Sequence, residues 1–201
     1  MAFHSKRRLA ACSAVPSSCA EVRSCDVQPR YEQLQDRRQG IRVSIACVSY
    51  GKNAMPGVSE PSSAVLDASV AVRWLVLERG SDDAAALMER PITWVAPRLL
   101  VTEVASALRR KVVANELRVE HAVQAIAILG QAASDGIVQF VQDEDLVAPA
   151  LMLALTLGHK VPDCMYLALA QRDGVALATA DLTLSRLAEN QGTSVLLVPS
   201  A

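Results

Sequence analysis

From Ala64 onward, short apolar runs that suit strands alternate with longer stretches in which apolar residues recur at helical spacing. Strands are expected at 64–67, 92–96, 137–141, 175–180 and 194–198, and helices at 70–78, 81–90, 98–114, 119–133, 146–157, 164–172 and 182–190. Short strands alternating with helical stretches mark a parallel sheet covered by helices. In open sheets of that kind ligands sit beyond the carboxyl ends of the strands, and Asp67 and Asp181 fall at two such ends.

The 201 residues hold one domain of ordinary size plus an extension, and an apolar share of 51% is enough for a core. A net charge of -1 hides an asymmetry. Residues 1–54 carry nine Lys/Arg against four Asp/Glu, a net +5, and residues 55–201 carry eleven against seventeen, a net -6. Residues 1–62 lack sustained periodicity, mix Ser, Cys, Arg, Gln and Pro, and are expected to form a poorly structured basic leader ahead of a folded domain at 63–201. Met55, just before Pro56-Gly57, is a candidate translation start that would leave the leader outside the native protein; the other reading is a genuine basic tail.

Cys12, Cys19, Cys25 and Cys47 lie in the first part and Cys164 alone in the second, with no CxxC pair, so neither a zinc site nor a disulfide framework is supported. Leu9-Ala10-Ala11-Cys12 after Lys6-Arg7-Arg8 imitates an export signal, but its apolar stretch is far shorter than the ~7–15 residues such a signal needs. The run from Leu146 to Leu157 contains Pro149 and falls short of the ~20 residues that span a bilayer. No membrane association and a cytoplasmic location are expected.

Four acids, Asp67, Glu103, Asp163 and Asp181, each interrupt or end an apolar run. Taken singly, Asp67 and Asp181 also read as helix caps or turn acids, and Asp163 as an acid favouring a helix dipole. Glu103 is harder to explain that way, since helical spacing puts it on a face with Leu99, Leu100 and Ala107. A carboxylate beside core segments costs free energy unless something positive compensates, and a shared divalent cation explains all four together. Mg²⁺ or Mn²⁺ suits all-oxygen ligands, retains waters and leaves places for a phosphate. It would acidify a bound water and stabilise charge in an in-line displacement, which is the chemistry of phosphodiester hydrolysis.

The segments Val65-Leu66-Asp67-Ala68-Ser69-Val70-Ala71, Thr102-Glu103-Val104-Ala105-Ser106-Ala107-Leu108-Arg109-Arg110, Val161-Pro162-Asp163-Cys164-Met165-Tyr166-Leu167-Ala168-Leu169-Ala170 and Ala178-Thr179-Ala180-Asp181 resemble those of the PIN-domain ribonucleases, specifically the VapC-type toxins of bacterial toxin–antitoxin pairs. The resemblance covers residues 64–198, and the order and spacing of the four acids agree with it. It implies a three-layer α/β/α sandwich with a central parallel sheet and a Mg²⁺- or Mn²⁺-dependent endoribonuclease acting on RNA such as tRNA or rRNA. It further implies a homodimer and a cognate antitoxin that occludes the active site. Carried over, Asp67, Glu103, Asp163 and Asp181 become the catalytic, metal-binding set, with Ser69 and Thr179 as hydroxyl partners that orient carboxylates. Pro162 and Cys164 depart from the family's usual tyrosine and small residue around the third acid, and the leader is atypical.

Arg73, Arg109, Arg110 and Lys111 are candidate contacts to an RNA backbone, against the plainer reading of a solvated face. Trp74 and Trp94 read as core, and His121 and His159 as helix-surface and turn residues. Cys164, at a helix start with His159 nearby, offers a thiol nucleophile, but no third orienting group is evident. A competing function is a PIN-fold module that binds RNA or a protein partner without efficient catalysis. A phosphatase or phospho-receiver would need a second acid close to the first strand's aspartate and a late lysine; Ser69 stands two beyond Asp67 and no lysine follows Lys160.

Overall fold

A computed structural model describes residues 62–199; the leader expected at 1–62 lies, but for its last residue, outside them. Five strands and seven helices follow in the expected alternation among the described residues. They are β1 (Ser63–Leu66), α1 (Ala68–Leu75), α2 (Ser81–Met88), β2 (Thr93–Pro97), α3 (Leu99–Val113) and α4 (Val119–Ser134), followed by β3 (Val138–Val141), α5 (Glu144–Leu157), α6 (Val161–Asp173), β4 (Ala176–Thr179), α7 (Leu182–Asn190) and β5 (Val195–Leu197).

The strands form one parallel sheet in the order β3-β2-β1-β4-β5. Central strands of such a sheet are covered on both faces, which is why β1 and β4 are apolar without alternation: Ala64, Val65, Leu66, Leu177 and Ala178 are all fully buried. The path β1 to β2 to β3 steps one way along the sheet, and β3 to β4 to β5 steps back past β1. Right-handed crossovers therefore carry α1–α4 to one face and α5 and α6 to the other, giving three layers. α6 packs across β1, β2 and β4 beneath α5, and Cys164 to Ala170 are buried without a break, as suits a helix enclosed on all sides.

Two helix boundaries differ from expectation by three residues, each for a local reason. α6 starts three residues before the predicted 164, because Pro162 in its first turn has no N–H to lose there. α1 ends at Leu75, where Val76 turns extended and is drawn into the core. The connection to α2 passes through Gly80 at φ +83°, and a Cβ there would meet the Pro199 carbonyl oxygen at 2.7 Å. Only glycine suits this approach.

β1 and β4 are neighbours whose outgoing connections run in opposite directions, so the carboxyl ends of these two strands border the crevice of the sheet. The Asp67 amide donates to the Ala178 carbonyl at 3.0 Å and fixes the register there. Trp94 is wholly buried and Trp74 packs against the core, both as expected. Among the described residues no helix is long and apolar enough to cross a membrane.

Candidate active site

Asp67, just past β1, is buried, yet its side chain does not cap α1. Its Oδ2 instead accepts hydrogen bonds from Thr179 Oγ1 at 2.7 Å and from Ser69 Oγ. Each hydroxyl is itself committed: Ser69 Oγ accepts from the Ala180 amide at 2.9 Å, and Thr179 Oγ1 from the Asp181 amide at 3.0 Å. A hydroxyl whose lone pair takes a backbone N–H has its single proton left for another partner, and here both protons go to the same carboxylate oxygen. Ser69 and Thr179 thus both hydrogen-bond the Asp67 carboxylate.

Glu103 lies half-buried in the second turn of α3, and its Oε2 accepts the Tyr166 hydroxyl of α6 at 2.6 Å. Asp163, in the first turn of α6, has its Oδ2 2.7 Å from His159 Nε2, off the direction in which that ring nitrogen forms a hydrogen bond. Asp181 caps α7: Oδ1 accepts from the Thr183 amide at 2.7 Å and the Leu184 amide at 3.2 Å. The cap reading of Asp181 therefore holds for one carboxylate oxygen, and Oδ2 takes no part in it.

All four acids line one cleft of about 670 Å³ at the carboxyl ends of β1 and β4. Their charges act on one another. Burial pushes the Asp67 carboxyl up, the hydroxyls of Ser69 and Thr179 pull it partly back, and the charge of Asp163 raises it again. Glu103 is likewise raised, first by burial and then by the charges of Asp67 and Asp163, against the lowering influence of Tyr166 and Lys160. The Tyr166 phenol is driven well above its ordinary range by burial and by Asp67, Glu103 and Asp163, so it remains a donor.

Among the described residues no three His, Cys, Asp or Glu side chains are drawn close enough to make a ready-formed metal cage. The donors present nonetheless fit a hard cation that keeps much of its water. They are oxygens only, they border one open cleft, and a cation would offset the burial, and after it the mutual repulsion, that raise Asp67 and Glu103.

The remaining candidates separate clearly. Arg73, Arg110 and Lys111 line the cleft, whereas Arg109 is exposed on α3 without lining it. Cys164 is buried, and burial and the charge of Asp163 raise its thiol, so the thiolate nucleophile weighed from sequence is disfavoured. His121 is half-buried on α4 and its Nδ1 has no hydrogen-bond partner, while His159 precedes α6. Tyr166 was not singled out in the sequence. Its signal is its position three residues after Asp163, which puts both on one side of α6.

The family model described as the PIN domain matches residues 64–190. No curated protein matches the chain. Among solved structures, the chain is similar to PAE2754 from Pyrobaculum aerophilum, with 17% identity over 66% of this chain and 83% of that one and a TM-score of 0.50. It is also similar to FitAcB from Neisseria gonorrhoeae, at 16% identity over 66% and 96% of the two chains with a TM-score of 0.44. A third, VapBC-5 from Mycobacterium tuberculosis, described as a member of the VapBC family of toxin-antitoxin systems, shares 20% identity over 69% and 99% with a TM-score of 0.41.

Proposed function

The chain belongs to the PIN domain family, whose members are generally nucleases, and from that premise we propose that it is a Mg²⁺- or Mn²⁺-dependent endoribonuclease acting as the toxin of a toxin–antitoxin pair in the cytoplasm. The observation that carries this reading is the convergence of Asp67, Glu103, Asp163 and Asp181, from four separate segments, on one cleft. The toxin assignment leans on the sequence motifs around these acids, and a cognate antitoxin covering the cleft follows from it.

In this reading Asp67, Glu103, Asp163 and Asp181 hold the metal. When bound, the ion supplies an acidified water and neutralises charge on the phosphate. Ser69 and Thr179 keep the Asp67 carboxylate in one orientation. Tyr166 does the same for Glu103. The amino end of α6 borders the cleft through Asp163 and favours a phosphate there. A homodimer is supported by α5, where Val147, Leu151, Met152 and Leu155 form an exposed apolar stripe.

The second reading, a PIN-fold module that holds RNA or a protein partner without cutting, is favoured by the open spacing of the acids, which form no ready-made cage among the described residues. Purified protein incubated with total RNA and Mg²⁺ or Mn²⁺, beside Asp67→Asn and a chelator control, separates the two. Cleavage is expected only from the wild type with metal; identical RNA patterns in all arms overturn the nuclease, and binding without cutting favours the module.

A further inference from the structure

Three cations border the cleft, and their surroundings set them apart. Arg73 Nη1 donates to the carbonyls of Val198 at 3.2 Å and Pro199 at 3.0 Å, and its Nε lies 3.7 Å from Glu78. Lys111 Nζ pairs with Glu78 and lies 3.7 Å from Glu116. Both charges are thus occupied inside the protein, clipping the end of the sheet to α1 and the loop after α1 to α3. Arg110 is different. It is exposed, it lines the cleft, and its guanidinium has no hydrogen-bond or ion-pair partner among the described residues.

Arg110 also stands in register with the acids. Glu103 and Arg110 are seven residues apart on α3, two turns along one face, a rise of about 10.5 Å. Between them the cleft floor is Ser106 and Ala107, small enough to leave room for a strand lying along the helix. One wall of the cleft therefore runs from an acid to an unpaired guanidinium. A nucleic-acid strand with its scissile phosphate at the acids would carry a neighbouring phosphate toward Arg110. The guanidinium fork suits phosphate oxygens better than a point charge does. Residues 55–201 carry a net -6, so a fixed cation at this place is needed to hold a polyanion against the average field.

We propose that Arg110 binds an RNA phosphate flanking the scissile bond and sets the register of the strand in the cleft, while Lys111 and Arg73 are held out of that role by Glu78, Glu116 and the Val198-Pro199 carbonyls. This inference rests on the endoribonuclease reading.

The test measures binding of a fluorescent single-stranded RNA in Mg²⁺ over a series of salt concentrations, with Asp67→Asn as the non-cleaving background. Adding Arg110→Gln is expected to weaken binding about tenfold and to reduce the slope of log K against log salt by about 0.7, the share of one phosphate contact on a single strand. Arg109→Gln is expected to change binding less than about twofold, and Arg110→Lys to restore the salt slope but only part of the affinity. Thermal unfolding of Arg110→Gln should match its parent, since the side chain is exposed. If the wild type cuts RNA and Arg110→Gln leaves affinity and slope unchanged, the Arg110 assignment is overturned and the nuclease stands. If the wild type neither binds nor cuts RNA, both are overturned.

Discussion

Tyr166 on α6 and Glu103 on α3, 63 positions apart in sequence, are joined by a 2.6 Å hydrogen bond in which the phenol donates and the carboxylate accepts. The phenol is wholly buried and cannot ionise near neutrality, so the bond has one direction. It holds Glu103 toward the cleft and lowers a carboxyl that burial and two neighbouring charges push up. Tyr166→Phe leaves packing intact and removes only the donor. We expect a loss of about 1 kcal/mol in stability by chemical denaturation. The acid limb of the pH–rate profile should move to higher pH, because Glu103 loses a contact that favours its ionised form. An unmoved profile would assign Tyr166 to packing alone.

Thr179 is fully buried and serves both Asp67 and the Asp181 amide through one hydroxyl. Thr179→Val keeps the shape, strands that amide and removes one donor from Asp67. A cost of about 1–3 kcal/mol in unfolding free energy is expected, with a fall in RNA cleavage. Thr179→Ser, which retains the hydroxyl, should recover cleavage better than it recovers stability. Equal cleavage by Thr179→Val and wild type would exclude the hydroxyl from the site.

Burial and the Asp163 charge raise the Asp67 carboxyl above its ordinary value, so in the folded protein it binds a proton more readily than in the unfolded chain. Such a group favours the native state most at acid pH, and the advantage is lost as pH rises through the folded value. Asp67→Asn removes the charge while its amide oxygen can still accept from Ser69 and Thr179. Metal-free Asp67→Asn should therefore melt higher than wild type at pH 7.5, and the gap should narrow as the pH falls toward 5. Saturating Mg²⁺ should raise the wild-type Tm more than that of the variant, since a ligand stabilises the state that binds it. A gap that widens on acidification would contradict the buried, charge-coupled placement of Asp67.

The α5 stripe of Val147, Leu151, Met152 and Leu155 yields a prediction about assembly. Leu155, at 71% exposure, is the most open of the four. Leu151→Glu combined with Leu155→Glu should turn a dimer into a monomer by light scattering, with no loss of melting temperature in the isolated domain. A wild type that is monomeric at micromolar concentration would remove the homodimer.

The order of the elements was legible in the sequence because its cues are local. Apolar runs of strand length, helical spacing and acids ending strands are set by periods of 2 and 3.6 residues and survive without knowledge of the fold. Asp67 and Asp181 could be placed at strand ends, and Glu103 on a packed helix face, from such cues. The early start of α6 at Val161 was less visible, since Pro162 is as much at home in a turn as in a first helical turn. Gly80 gave no hint that the Pro199 carbonyl would lie against it.

The residues themselves determined a parallel α/β domain with Asp67 and Asp181 at strand ends, Asp163 at a helix start and Glu103 on a packed helix face, because backbone periodicity and the cost of desolvating charge act over a few neighbours. Only the tertiary structure decided that β4 lies beside β1, which brings Thr179 to Asp67 across 112 positions and gathers the acids into one cleft. It also decided that Tyr166 reaches Glu103 and that Glu78 occupies Lys111 while Arg110 stays unpaired among the described residues. Such pairings depend on crossover direction and strand order, which bring together side chains that no local period relates.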